Sequence, residues 1–285
     1  MRARNSIASM IGIQFYESQF KAMKQAPALF VSHGAPTFAL DPGVLGPKLA
    51  QLGEQLPALT AVAVVSAHWQ TEGVEVMRTA LPKTIHDFRG FPPELYRLEY
   101  PARGAPAQAL ETAAILRAAG IESKFDDARG IDHGVWVPLL YLLPRAQVPV
   151  YQVSLPFSFD AQNALQLGKA LAPLRREGVL VMGSGSLTHN LGEIGRFDPS
   201  HAKYAVEFTD WIRTHVQRRD SDALVDYRRR APHAKRAHPS EEHFLPLLVA
   251  LGASEAADAV SVIDGGMTYG VLSMESYAFA STAGQ

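Results

Sequence analysis

Short apolar runs rich in β-branched residues punctuate the chain at 28–32 (ALFVS), 61–67 (AVAVVSA), 148–154, 179–182, 260–263 and 271–274. Hydrophobicity that is continuous rather than alternating over so few positions predicts strands buried on both faces. Between them, apolar positions spaced three and four apart predict helices over 43–54, 107–119, 161–176, 201–219 and 242–251. A further apolar helix, 135–143, follows Asp132-His133-Gly134, with Asp132 placed to cap it. Strands and helices alternating in this way predict an α/β fold: a single domain with a central mixed, largely parallel sheet flanked by helices.

Two stretches depart from the pattern. Residues 81–105 contain Pro82, Pro92, Pro93 and Pro101 with Gly90 and Gly104, so they read as a long loop. Its aromatic residues Phe88, Phe91, Tyr96 and Tyr100 favour an ordered, functional loop. Residues 1–24 carry Arg2, Arg4, Lys21 and Lys24 against Glu17, and lack the long apolar core of an export signal. They are expected to be a flexible extension, leaving 25–285 as one catalytic domain without a linker or internal repeat.

Composition narrows the class of protein. With 285 residues, 47% hydrophobic and 19% charged, the chain can bury a full core, and disorder is excluded. A formal charge of -1 gives no field that would attract nucleic acid or an anionic membrane. No apolar run reaches the roughly 18 to 20 residues of a membrane span. The expectation is a soluble, cytoplasmic protein, monomeric or a small homo-oligomer, whose partner is a small molecule. Cysteine is absent, which excludes disulfides, thiolate ligands and thiol nucleophiles, so any metal must be held by nitrogen and oxygen.

Ten histidines carry the candidate chemistry. His33 follows the first strand and precedes the turn Gly34-Ala35-Pro36; His68 follows the second and precedes Trp69. His189 lies beyond the small-residue loop Gly183-Ser184-Gly185-Ser186, read as a tight backbone approach, and His243 opens the last predicted helix. Open α/β sheets bind ligands outside the carboxyl ends of their strands, so these four imidazoles are placed to converge at one rim and to ligate Fe, Zn or Cu. A single histidine at a strand end is more often a hydrogen-bonded loop residue; four in equivalent positions weigh against that reading. His133 is a candidate proton-transfer group, and His86-Asp87 sits in the proline-rich loop as part of a substrate lid or as plain surface. The basic run Arg228, Arg229, Arg230, Lys235 and Arg236 reads as a solvated face.

Six blocks then carry a resemblance: Ser32-His33-Gly34-Ala35-Pro36, Ser66-Ala67-His68-Trp69, Thr84-Ile85-His86-Asp87-Phe88, Asp132-His133-Gly134-Val135-Trp136, Thr188-His189-Asn190-Leu191 and Glu242-His243-Phe244-Leu245-Pro246-Leu247. In this order they resemble the signature blocks of the class III extradiol ring-cleavage dioxygenases, in the branch typified by DOPA 4,5-dioxygenase. The resemblance implies that His33, His68 and His243 bind a non-haem metal, with His189 as a fourth ligand or an acid/base. His133 is implied as the proton-handling histidine, and His86 and Trp69 as substrate-binding. Glu242 stands beside His243 as the alternative third ligand. The implied reaction is ring opening of a catechol by O2 at Fe(II), with Zn(II) able to occupy the site. Two other readings remain: a zinc-dependent hydrolase, and a non-catalytic metal- or ligand-binding member of the same fold.

Overall fold

The computed structural model describes residues 25–195 and 202–281 of the 285. The expected extension, 1–24, lies outside the described residues. Six strands form the central sheet: β1 (Ala28–Ser32), β2 (Ala61–Ser66), β3 (Val150–Gln152), β4 (Val179–Gly185), β5 (Asp258–Ile263) and β6 (Ser276–Ser281), in the order β3-β2-β4-β1-β6-β5. β3, β2, β4 and β1 run parallel, while β6 is antiparallel to both its neighbours. The sheet is therefore mixed and largely parallel. Every residue of β1, β2 and β4 is buried, which is why these strands lack polar alternation.

Six longer helices accompany the sheet: α1 (Leu45–Gln55), α2 (Pro106–Ala118), α3 (His133–Leu142), α4 (Ala161–Leu171), α5 (Lys203–Gln217) and α6 (Leu245–Ala253). Alternation along β4 sets which helix covers which face. A Cβ on Gly183 or Gly185 would meet the backbone oxygens of Pro246 and His243 at 2.0 and 2.1 Å, so the segment entering α6 lies directly on that face. Ser184, between them, points the other way, to Gly134 of α3. The small-residue segment is thus not a loop, as expected, but the end of a strand whose missing side chains let α6 approach.

Other boundaries move for local reasons. Helix 161–176 is α-helical only to Leu171 and continues as a 3-10 helix over Ala172–Glu177, because Pro173 has no N–H to extend the ladder. The last apolar helix starts at Leu245 rather than 242, with Pro246 in its first turn, a position proline favours. The expected strand 271–274 pairs only over Leu272–Ser273, in a hairpin with Met267–Thr268. The sheet strand is Ser276–Ser281, in register with β1 through Ala28↔Phe279.

The amino-terminal edge of the parallel strands is closed by a buried ion pair. Arg175, fully buried, meets Asp258 Oδ2 at 2.7 Å. The same guanidinium donates to the backbone oxygens of Ala26 at 2.8 Å and Ala253 at 2.9 Å, so its charge is compensated on several sides.

Candidate metal centre

At the opposite edge, the carboxyl ends of β1 and β2 and the segment entering α6 bring three imidazoles together. His68 Nε2 lies 3.0 Å from His33 Nε2 and 3.4 Å from His243 Nε2. Each ring has its other nitrogen engaged. His33 Nδ1 is 2.9 Å from Ser184 Oγ, His243 Nδ1 is 2.9 Å from Glu242 Oε1, and His68 Nδ1 is 3.5 Å from Asp87 Oδ2. Carboxylates accept only, so Nδ1 of His243 carries the proton. Ser184 donates its own proton to Gly134 O and therefore accepts from His33 Nδ1. The Nε2 lone pairs of His33 and His243 consequently face the point at which His68 Nε2 also arrives.

That Ser184 geometry has a source in the sequence. Pro138 lies inside α3 and cannot donate to Gly134 O, the acceptor one turn earlier. The Ser184 hydroxyl fills the place of the missing N–H.

Protons do not relieve the convergence. Burial, reinforced by the neighbouring imidazoles, holds His33 and His243 well below the ordinary 6.5, and burial with His133 nearby lowers His68 to about 3. Near neutral pH three neutral donors therefore point at each other at contact distance, an arrangement that a cation stabilises. An all-imidazole face suits Fe, Zn or Cu rather than Mg or Ca. The chemistry of the donor set fits a divalent transition metal.

Asp87, 46 residues upstream in sequence, connects this centre to His133. Its Oδ1 accepts from His133 Nδ1 at 2.9 Å and from the His133 backbone N–H at 3.0 Å. Burial opposes its charge, but the hydrogen bond and the histidines around it prevail and hold Asp87 at about 2. The His133 ring sits 4.0 Å from that of His68, and one nitrogen from each of His33, His68 and His133 lies within 4.8 Å of the others. His189 stacks face to face on His243, 3.4 Å between centroids, and burial lowers it to about 4 against the opposing charge of Glu242. His189, Glu242 and His243 form a second group of donor atoms within 4.8 Å. Glu242 approaches His243 at Nδ1, the nitrogen that faces away from His33 and His68.

The remaining expected residues lie further out. His86 donates from Nε2 to Leu98 O at 3.0 Å and packs against Phe88, Tyr96 and Trp136; the Phe88 ring in turn meets His133 edge-on at 5.7 Å. Trp69 is buried beneath the Arg129 guanidinium. Asp132 precedes α3 but makes no side-chain cap, contrary to expectation. Instead Ser66 Oγ at 2.7 Å and Arg129 Nη2 at 3.0 Å draw its carboxylate aside, tying the start of α3 to the end of β2. Within the basic run, Arg228, Arg229 and Arg236 pair with Glu241, Asp226 and Glu193. Sequence reasoning missed Asp87 as the link between His68 and His133, and Ser184 as the partner of His33. The adjacency of Asp87 to His86 was the one available signal.

Against known proteins, the catalytic LigB subunit of aromatic ring-opening dioxygenase matches residues 45–280 as a family. The chain belongs to this family. It is 38% identical over 257 residues to a 4,5-DOPA dioxygenase extradiol of Beta vulgaris, covering 89% of this chain and 96% of the relative. A protein of the same description from Escherichia coli K12 is 36% identical over 253 residues, 87% of this chain and 92% of that one. The crystal structure of an uncharacterized protein from Escherichia coli K12 superposes with a TM-score of 0.75 at 31% identity, covering 89% and 99% of the two chains. Family membership makes the LigB-family chain a ring-opening dioxygenase, and the α/β architecture is that of its structural neighbour. Among the described residues no helix is long and apolar enough to cross a membrane.

Proposed function

We propose that this chain opens the ring of a catechol at a non-haem Fe(II) held by His33, His68 and His243. One observation carries the reading: three Nε2 atoms meet at 3.0 and 3.4 Å while each Nδ1 is engaged elsewhere. Bound Fe(II) supplies a centre at which a vicinal diol and dioxygen are brought together and electrons pass between them. Imidazole ligands leave its dipositive charge uncancelled, which favours an ionised diol over a neutral phenol.

The protein's own groups handle the protons. His189, neutral near pH 7 because burial lowers it, is placed as the base that takes a proton from the diol. His133, with its Nδ1 proton committed to Asp87, has Nε2 free to take up a proton, giving a cation that Asp87 offsets, and to return that proton to departing oxygen. Glu242, Asp87 and Ser184 orient the ligands and set their tautomers. Phe88 and the His86 ring form an aromatic wall beside His133, and Trp69 is buried under the Arg129 guanidinium.

The test is anaerobic loading with Fe(II) followed by addition of catechols in an oxygen-electrode cell. The expected result is one O2 consumed per catechol, with a yellow semialdehyde-type product. No uptake with any of a panel, alongside zinc-dependent ester hydrolysis, overturns the proposal in favour of a hydrolase.

A further inference from the structure

Beside the His33 turn lies a cavity of about 280 Å³ to which the ring-opening reading assigns no role. Its floor is apolar, built by the buried residues Phe38, Leu45 and Met274. Tyr141 fixes that floor, tilted against Phe38 at 4.9 Å and donating its hydroxyl to Phe38 O at 2.6 Å. The rim is open and polar, with Asp41 and Tyr269 exposed and Thr37 and Thr268 half-buried. Asp41 is the one carboxylate among the described lining residues, and no lysine, arginine or histidine lines the cavity.

Two features place this space against the turn that carries His33. Ala35 lines it only two residues after His33, a separation of at most about 7 Å along the backbone. Gly34, between them, has φ 62°, and a Cβ there would lie 2.7 Å from the Met274 methyl, so Met274 is a wall of both the turn and the cavity. On the rim, Tyr269 holds φ 50°, a left-handed conformation costly for a residue with a side chain, and its hydroxyl meets Thr37 Oγ1.

We propose that this cavity receives the substituent on the catechol ring, and that it selects an apolar tail, neutral or ending in an amine, over one ending in a carboxylate. The inference rests on the ring-opening reading of the histidine centre. Pockets for whole ligands typically span about 300 to 1,000 Å³, so this one suits a substituent of a few heavy atoms rather than a whole ligand. An alkyl chain gains by leaving water for Phe38, Leu45 and Met274. An ammonium at the rim meets Asp41, whereas a carboxylate meets the same charge with no lining cation to offset it.

The experiment measures binding apart from turnover. Zn(II)-loaded protein is titrated calorimetrically under argon with catechol, 4-propylcatechol, dopamine and 3,4-dihydroxyphenylacetate, while the Fe(II)-loaded protein is assayed for oxygen uptake with the same compounds. For wild type, 4-propylcatechol is expected to bind on the order of tenfold tighter than catechol, and dopamine tighter than the carboxylate. Val44→Trp, at an exposed lining position, is expected to abolish the propyl advantage and leave catechol within about twofold. Asp41→Lys is expected to reverse the order of dopamine and 3,4-dihydroxyphenylacetate. A propyl advantage that survives Val44→Trp, or an amine preference that survives Asp41→Lys, overturns the subsite. If the binding pattern holds but no compound drives oxygen uptake, the subsite stands and the ring-opening reading falls.

Discussion

The two edges of the sheet bury polar groups under opposite rules. At the amino-terminal edge, Arg175 and Asp258 satisfy each other, and the guanidinium takes backbone oxygens besides. At the carboxyl edge, His33, His68 and His243 are satisfied only on their outer nitrogens, and the inner ones confront each other. A compensated buried charge holds the fold, while an uncompensated convergence of donors makes room for a ligand.

Substitutions separate the two edges. His33→Ala is expected to cost the most: metal affinity, read by calorimetry with Zn(II), should fall more than about a hundredfold, since even outer partners of metal ligands are worth about 10- to 100-fold. Thermal stability of the metal-free protein should hold. Arg175→Met should do the reverse, removing about 3–5 kcal/mol from the unfolding free energy by stranding Asp258, with metal stoichiometry of the folded protein unchanged. The double variant Arg175→Met/Asp258→Leu should recover most of that loss in urea titrations. Metal loss on Arg175→Met at unchanged stability would erase the distinction between the edges.

Next in size are the orienting carboxylates. Glu242→Gln and Asp87→Asn should each reduce metal affinity or turnover about 10- to 100-fold. Asp87→Asn should reduce turnover more than it reduces affinity, because Asp87 also holds His133.

Acid sensitivity sharpens the comparison further. Burial lowers His68 to about 3, His189 to about 4 and His238 to about 3, all from 6.5. Below pH 6.5 the unfolded chain therefore binds protons that the folded chain refuses. Metal-free stability should decline as pH falls from 6.5 toward 3, by up to about 1.4 kcal/mol per pH unit for each such histidine, and urea unfolding at pH 7, 6 and 5 measures it. A pH-independent stability over that range would contradict the buried, neutral imidazoles.

The sequence made the metal edge readable where chemistry sits next to regular structure. His33 and His68 directly follow aliphatic runs, so the strand ends marked them. Residues 81–105 have no periodicity, so the sequence offers Asp87 only as lid or surface, and its contact with His133 is made by folding alone. Ser184 was hidden for another reason: flanking glycines suggest a turn, whereas here they serve the close approach of α6. The strand Ser276–Ser281 was overlooked because the more aliphatic 271–274 precedes it, and pairing with β1 and β5 decided between them.

Pro138 gives the smallest expected effect and a less obvious lesson. Replacing it with alanine improves the helix by local propensity and supplies Gly134 O with a backbone donor. Ser184 is then free to turn its proton toward His33, so Pro138→Ala should raise the melting temperature slightly while weakening Zn(II) affinity a few-fold. An irregularity in the scaffold is thus wired into the tautomer of a distant ring, and an engineer who idealises the backbone for robustness would loosen the grip on the metal without touching a ligand.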